Sequence, residues 1–278
     1  MADGQESTLV PLSEPGSLPP LYCVHPVSGS PYGYSVLTRT LGADQPVFGF
    51  EAPGFDGIGE PAADMAELAE RHVASLRAAR PHGPYHLLGW SLGGVVAYEM
   101  ARRLTAAGER VPVLVLVDSP VPEPIESWPL SSMLPHFLRD LLGLTAGRTP
   151  ELDAALAGLG DDSPLVEWFA AAERSGQFPE ELDAEFLEER FTLFEAHVSL
   201  LMRHRIEAVH QGTLISVMAA ESDPAETRWG PLATRVEEHT VPGDHHSMWT
   251  GEGLAALSAV VAAALRAARA EPEEGGTV

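Results

Sequence analysis

Short apolar runs alternate along this chain with segments whose apolar residues recur every three or four positions. The short runs predict strands at Leu21–Val24, Val47–Phe50, Tyr85–Gly89, Val111–Val117, Thr213–Ala219 and Val236–Val241. The periodic segments predict helices over Asp64–Arg80, Leu92–Ala107 and Leu254–Ala270. Alternation of this kind argues for a mostly parallel central sheet flanked by helices, an α/β fold. Val111–Val117 is apolar on both faces, as a strand covered by helices on each side must be.

Residues 121–205 break the alternation. They open on Pro120, Pro122, Pro124 and Pro129 and then carry only helical patterns. One helix is predicted to start at Asp162-Ser163-Pro164, with an N-cap and proline at the first helical position. Another runs from about Glu180 to Arg205, with Leu182, Phe186, Phe194, Val198 and Leu201 at helical spacing and Arg203 and Arg205 at its end, where cations suit the dipole. A helical insertion of this size reads as a lid. The expected organisation is an extended lead-in at 1–19, a core from 20–120 and 206–270, the lid at 121–205, and a flexible acidic tail at 271–278.

Composition narrows the field. The 278 residues suit one domain with an insertion, and at 29.7 kDa about three quarters of the unfolded chain's surface can be buried. The net charge is −23, and all 17 basic residues are Arg. Such a surface repels nucleic acid and anionic lipid. Cys23 is the single cysteine, so no intrachain disulfide forms and a reducing cytoplasm is the expected setting. The apolar run Leu254–Leu265 reads as too short to span a bilayer. The N-terminus lacks the basic and apolar regions of a signal peptide.

Gly89-Trp90-Ser91-Leu92-Gly93 matches the G-x-S-x-G nucleophile elbow. Composition alone would produce the pattern about 0.16 times in this chain, and context gives it weight. A predicted strand enters it, and a helix with Val96, Met100 and Leu104 leaves it. Ser91 would stand in a tight turn at a helix N-terminus, which favours developing negative charge. The small neighbours Gly89 and Gly93 allow that turn.

A serine nucleophile needs an orienting acid and a base. Asp118, directly after the strand Val111–Val117, is one candidate acid; Asp223, in Glu221-Ser222-Asp223-Pro224, is the other. The base lies in Gly243-Asp244-His245-His246, after the last predicted strand, and either histidine suits the role. Adjacent loop histidines seldom face one ion, and no other ligand-spaced cluster exists, so no metal site is expected. The other nine histidines read as surface or core residues. An oxyanion hole would use the Leu92 N–H and a donor from the loop His25-Pro26-Val27-Ser28-Gly29-Ser30.

With these residues the chain resembles the thioesterase domains that end nonribosomal peptide synthetases, and more distantly those of polyketide synthases. The resemblance runs over nearly the whole chain, from Leu9-Val10-Pro11-Leu12 through the His25 loop, Gly89–Gly94 and Val117-Asp118-Ser119 to Gly243-Asp244-His245 and Met248. Trp90 before the serine and the Val-Asp-Ser segment match the chain-terminating type; free-standing editing (type II) thioesterases usually carry His before the serine. The resemblance implies an α/β-hydrolase fold with a mobile lid, and Ser91, Asp118 and His245 as nucleophile, acid and base. It also implies Val27 as the second oxyanion N–H. Asp223 is a departure, since related enzymes place their acid after that later strand.

The implied substrate is a peptidyl or polyketide-like acyl chain on the phosphopantetheine arm of an acyl or peptidyl carrier protein, released by hydrolysis or macrocyclisation, with no cofactor bound by the chain itself. An editing thioesterase, a carrier-independent serine esterase and a non-catalytic scaffold are the rivals. Carrier domains of this kind are commonly acidic, so a −23 chain needs apolar contacts or an Arg cluster to capture one: Arg102, Arg103 and Arg110, with Arg203 and Arg205. A discrete protein and an excised domain are both compatible with barely twenty residues before the core.

Overall fold

The strands, in chain order, are β1 (Leu9–Pro11), β2 (Leu21–Val24), β3 (Val47–Phe50), β4 (His86–Trp90), β5 (Val113–Val117), β6 (His210–Ala219) and β7 (Ala233–Val241). The helices are α1 (Ser35–Leu41), α2 (Met65–Ala79), α3 (Leu92–Ala106), α4 (Leu130–Leu142), α5 (Pro150–Leu156), α6 (Leu165–Arg174), α7 (Ala184–Arg203) and α8 (Gly251–Ala270). This computed structural model describes residues 8–57, 59–142, 150–179 and 182–270. The tail at 271–278 and the start of the lead-in lie outside the described residues.

One seven-stranded sheet has the order β1-β3-β2-β4-β5-β6-β7, parallel throughout except for β1, which pairs antiparallel to β3. The two-residue period of the strands sorts their side chains onto two faces. Leu114 and Leu116 of β5 join α2 and α3 in one buried cluster, while Val113, Val115 and Val117 join α8 in the other. After β3 the chain crosses over β2 to lay down β4 on its far side, so the order reverses between β2 and β4. The crevice at the carboxyl ends of those strands is where α/β sheets bind ligands.

The departures from expectation have local causes. β1 lies inside the expected lead-in; three residues on a sheet edge are too few to mark a pattern. β5 begins after Pro112, which has no N–H to offer the ladder. β6 and β7 each start three residues before their apolar runs, and Thr234, Arg235 and Glu237–Thr240 of edge strand β7 are exposed or half-buried, which hides the period. α1 was not anticipated. α8 is longer than its apolar run: its 20 residues and mean hydropathy of 1.4 reach the length and composition of a bilayer-spanning helix. Here Leu257, Val261 and Leu265 are buried in the cluster beneath the sheet.

Between β5 and β6 the helices α4 to α7 surround a third cluster, centred on Phe137, Trp168, Phe169, Phe191 and Phe194. α6 begins at Leu165, with Pro164 as its N-cap rather than its first helical residue, and Ser163 Oγ instead accepts the Gly160 N–H. α7 is capped by the Asp183 carboxylate on the Phe186 N–H and ends at Arg203. Its buried stripe is Leu187, Phe191, Phe194 and Val198: Phe194 and Val198 are buried as expected, whereas Leu182 lies outside the helix and Phe186 and Leu201 are half-buried.

Candidate active site

Ser91 stands alone between β4 and α3, at φ 55° and ψ −126°. Its N–H donates to the Val117 carbonyl at 3.0 Å, which ties the turn to the end of β5. Close approach explains the glycines around it. A Cβ on Gly89 would fall 2.0 Å from the Gly93 carbonyl oxygen, one on Gly93 2.3 Å from the Val24 oxygen, and one on Gly94 1.9 Å from Ser119 Oγ. The Leu92 N–H belongs to the first turn of α3, where no intrahelical acceptor exists. Tyr34, buried and not singled out by sequence, donates its hydroxyl to the Val24 carbonyl at 2.7 Å and accepts the Trp90 N–H at 2.9 Å. It thereby clamps the ends of β2 and β4 together.

Asp118 follows β5 at φ 42°. Ser91 and Asp118 are the only non-glycine residues with positive φ among the described residues, and strain of that kind collects at functional sites. The Asp118 carboxylate is 5% exposed and takes three donors: the Ala219 N–H at 2.9 Å on Oδ1, and on Oδ2 the Ser222 hydroxyl at 2.8 Å and His245 Nδ1 at 2.6 Å. Burial alone would raise its pKa; the bonds from His245, Ala219 and Ser222 outweigh burial and hold it below the usual carboxylate value. Because a carboxylate only accepts, His245 carries its proton on Nδ1 and leaves Nε2 as the acceptor nitrogen. The Trp90 indole lies against the His245 ring, 4.8 Å between centroids.

The two alternatives are occupied elsewhere. Asp223 is exposed and turns its Oδ1 back to the Ala225 N–H at 2.8 Å, an Asx turn; its neighbour Ser222 is what that loop contributes to Asp118. His246 bonds through Nε2 to Asp140 of α4 at 2.8 Å, with both side chains largely buried. The adjacent histidines thus address different carboxylates. Asp244 holds their loop by accepting the His246 and Ser247 N–H groups and the Ser247 hydroxyl.

The loop after β2 lies beside this rim. Its His25 packs between His72 of α2 and His197 of α7, with centroids 5.3 and 5.0 Å away. All three are buried, and burial lowers all three pKa values, to about 3 for His72 and about 4 for His197. Sequence offered no signal for this stack, since its members lie 47 to 172 positions apart by number. At the far end of α3, Arg102, Arg103, Arg203 and Arg205 line one cavity of about 600 Å³. Arg102 and Arg103 are paired there with buried Glu99, at 2.9 and 2.8 Å, and Arg110 is not part of the lining.

The profile of the family described as thioesterase domain matches residues 19–265. A probable non-canonical nonribosomal peptide synthetase, CymA of Salinispora arenicola, is 31% identical over 271 residues, 93% of this chain and 3% of that one. Enterobactin synthase component F of Escherichia coli is 44% identical over 121 residues, 44% of this chain and 9% of that one. The chain therefore spans under a tenth of either relative. The crystal structure of the NocB thioesterase domain from the nocardicin cluster superposes with a TM-score of 0.60 at 26% identity, covering 96% of this chain and all of that one. The α/β-hydrolase fold anticipated from the sequence is the fold of this neighbour.

Proposed function

This chain belongs to the thioesterase domain family, and from that premise we propose that it releases a peptidyl or polyketide-like acyl chain from a carrier protein through an acyl-enzyme on Ser91. The observation that carries the assignment is the 2.6 Å His245–Asp118 bond, made by the loops after β7 and β5 on the rim where β4 presents Ser91. Similarity to nonribosomal peptide synthetases supports a substrate held on the carrier's phosphopantetheine arm. Trp90 before the serine, packed on His245, favours the chain-terminating type over an editing enzyme.

In this scheme Ser91 Oγ bonds to the acyl carbon as its proton passes to His245 Nε2. The oxyanion is taken by the N–H groups of Val27 and Leu92. Collapse breaks the C–S bond, and His245 returns the proton to the departing thiolate. Water, or an amine or hydroxyl of the bound chain, then attacks the acyl carbon while His245 takes its proton, and the C–O bond to Ser91 breaks with that proton returned to Oγ. Water yields a free acid; the internal nucleophile yields a lactam or lactone. The insertion at 121–205 acts as the lid, and excluding water beneath it would favour ring closure. The Arg-lined cavity offers the acidic carrier its contact, with Arg203 and Arg205 supplying charge that Glu99 does not already engage.

The test is mass spectrometry of the Ser91 peptide and the products after mixing with peptidyl-carrier, acetyl-carrier and simple ester substrates. A peptidyl adduct on Ser91, absent in Ser91→Ala with a rate loss of several orders of magnitude, is the expected result. Turnover of acetyl-carrier alone would identify an editing enzyme, and turnover of simple esters alone a carrier-independent esterase. An active Ser91→Ala chain would refute the assignment.

A further inference from the structure

Two successive peptides of the loop after β2 are held by buried imidazoles, and one of those imidazoles comes from the insertion. His25 Nδ1 donates to the Pro26 carbonyl at 2.8 Å, and the Gly29 N–H donates to the same oxygen at 3.0 Å. His197 Nδ1, from α7, donates to the Val27 carbonyl at 2.7 Å. Burial keeps both rings neutral, and a neutral ring facing a carbonyl oxygen must carry its proton on the facing nitrogen. The rings stack on each other at an interplanar angle of 26°, so each limits the other's rotation.

In a trans peptide the C=O and N–H point in opposite directions. Two donors on the Pro26 oxygen therefore set the direction of the Val27 N–H. The His197 bond to the next carbonyl removes the remaining freedom about Val27. Among the described residues no protein acceptor takes that N–H. The Val27 side chain packs against both the cluster under α2 and α3 and the cluster inside the insertion, so it sits at the junction of the two bodies.

Resting on the acyl-enzyme reading above, we propose that His197 is a positioning residue: from the insertion it holds the Val27 carbonyl and so fixes Val27 from its far side, while the bonds to the Pro26 oxygen aim the Val27 N–H at the oxyanion. Seating of α7 is thereby coupled to completion of the oxyanion hole. A lid helix that moved away would take the Nδ1 donor with it and loosen the peptide before substrate could react. A histidine that merely satisfied a buried carbonyl would affect stability but would not discriminate between substrate and transition state.

The test compares His197→Leu, which removes the donor, with His197→Asn, whose amide can place a donor near the Nδ1 position. Loss of one oxyanion donor costs about 10²–10³ in kcat, which sets the ceiling for misplacing one. On a soluble acyl thioester, His197→Leu should lower kcat by about 10- to 100-fold with KM within about threefold. It should weaken a boronic acid that forms a tetrahedral adduct on Ser91 by a similar factor, and His197→Asn should recover most of both. If His197→Leu does not fold, His197→Met, which fills similar volume flexibly, replaces it. Unchanged kcat and boronate affinity in a folded donor-less variant overturn the proposal, as do equal losses in the Leu and Asn variants. Wild-type acylation of Ser91, followed in parallel, separates the two levels: its presence beside an unaffected His197→Leu refutes only the positioning role, whereas its absence refutes the acyl-enzyme reading as well.

Discussion

Asp118→Asn tests the proposed orienting acid, and the hydrogen bonds around it dictate what the amide must do. Three donors converge on the carboxylate: the Ala219 N–H on Oδ1, and the Ser222 hydroxyl and His245 Nδ1–H on Oδ2. Asparagine offers one oxygen and one NH2. If its NH2 faced Ala219, two buried N–H groups would oppose each other, at a cost of about 1–3 kcal/mol. The oxygen therefore stays on Ala219 and the NH2 turns to Ser222 and His245. Ser222 adapts by rotating its hydroxyl. His245 adapts only by moving its proton from Nδ1 to Nε2, and a protonated Nε2 cannot accept the proton of Ser91. The inverted tautomer should lower kcat by about 10⁴, close to 5 kcal/mol of barrier, with little effect on KM. Steady-state release of thiol from a soluble acyl thioester measures it, with Asp223→Asn alongside as the control expected to stay within twofold or so of wild type. A fast Asp118→Asn beside a slow Asp223→Asn would refute the assignment of the acid.

Three other outcomes follow from the same geometry. Gly93→Ala drives a Cβ to 2.3 Å from the Val24 oxygen, a backbone atom that has little room to shift, so it should lower Tm and cut kcat at least tenfold or so, whereas Gly160→Ala, which meets nothing within 4 Å, should change neither. His72 and His197 are neutral when buried, at about 3 and about 4, but titrate near 6.5 when unfolded. From pH 6.5 down to about 4 the unfolded chain then binds protons the native chain refuses, so stability falls with acidification by about 1.4 kcal/mol per pH unit for each. Urea midpoints between pH 7 and 4.5 should show a slope shallower by about one proton in His72→Leu, and parallel slopes would contradict it. Arg203→Glu with Arg205→Glu should raise KM for a carrier-bound substrate severalfold at low salt, leave a soluble thioester unaffected, and converge with wild type as salt screens the charges. Equal KM values at low salt would remove the Arg cavity from carrier docking.

The sheet and the strained turn at Ser91 were legible in the chain because both are written in local signals. Burial on both faces makes β5 a run of five apolar residues, and close backbone approach demands glycine at 89 and 93, while Gly94 makes room for the Ser119 side chain. Asp118 and His245 were legible as members of pairs of candidates, each placed after a predicted strand. Which member of each pair meets the other, His245 with Asp118, is a matter of tertiary structure. Asp223 and Ser222 are adjacent in the chain, yet the turn of that loop sends the hydroxyl to Asp118 and the carboxylate back to Ala225. His245 and His246 are also adjacent, and their partners lie 127 and 106 positions away. Tyr34, His72 and His197 carried no sequence signal at all, because nothing within a few residues of them predicts their contacts.

What the sequence determined alone is the period with which side chains are buried and the few positions where only a small residue fits. Which polar groups meet was decided by the order of strands in the sheet and the return of the insertion over its rim. A hydrogen bond depends on direction at about 2.6–3.2 Å. Residues distant in sequence reach that range only when packing has already placed their backbones.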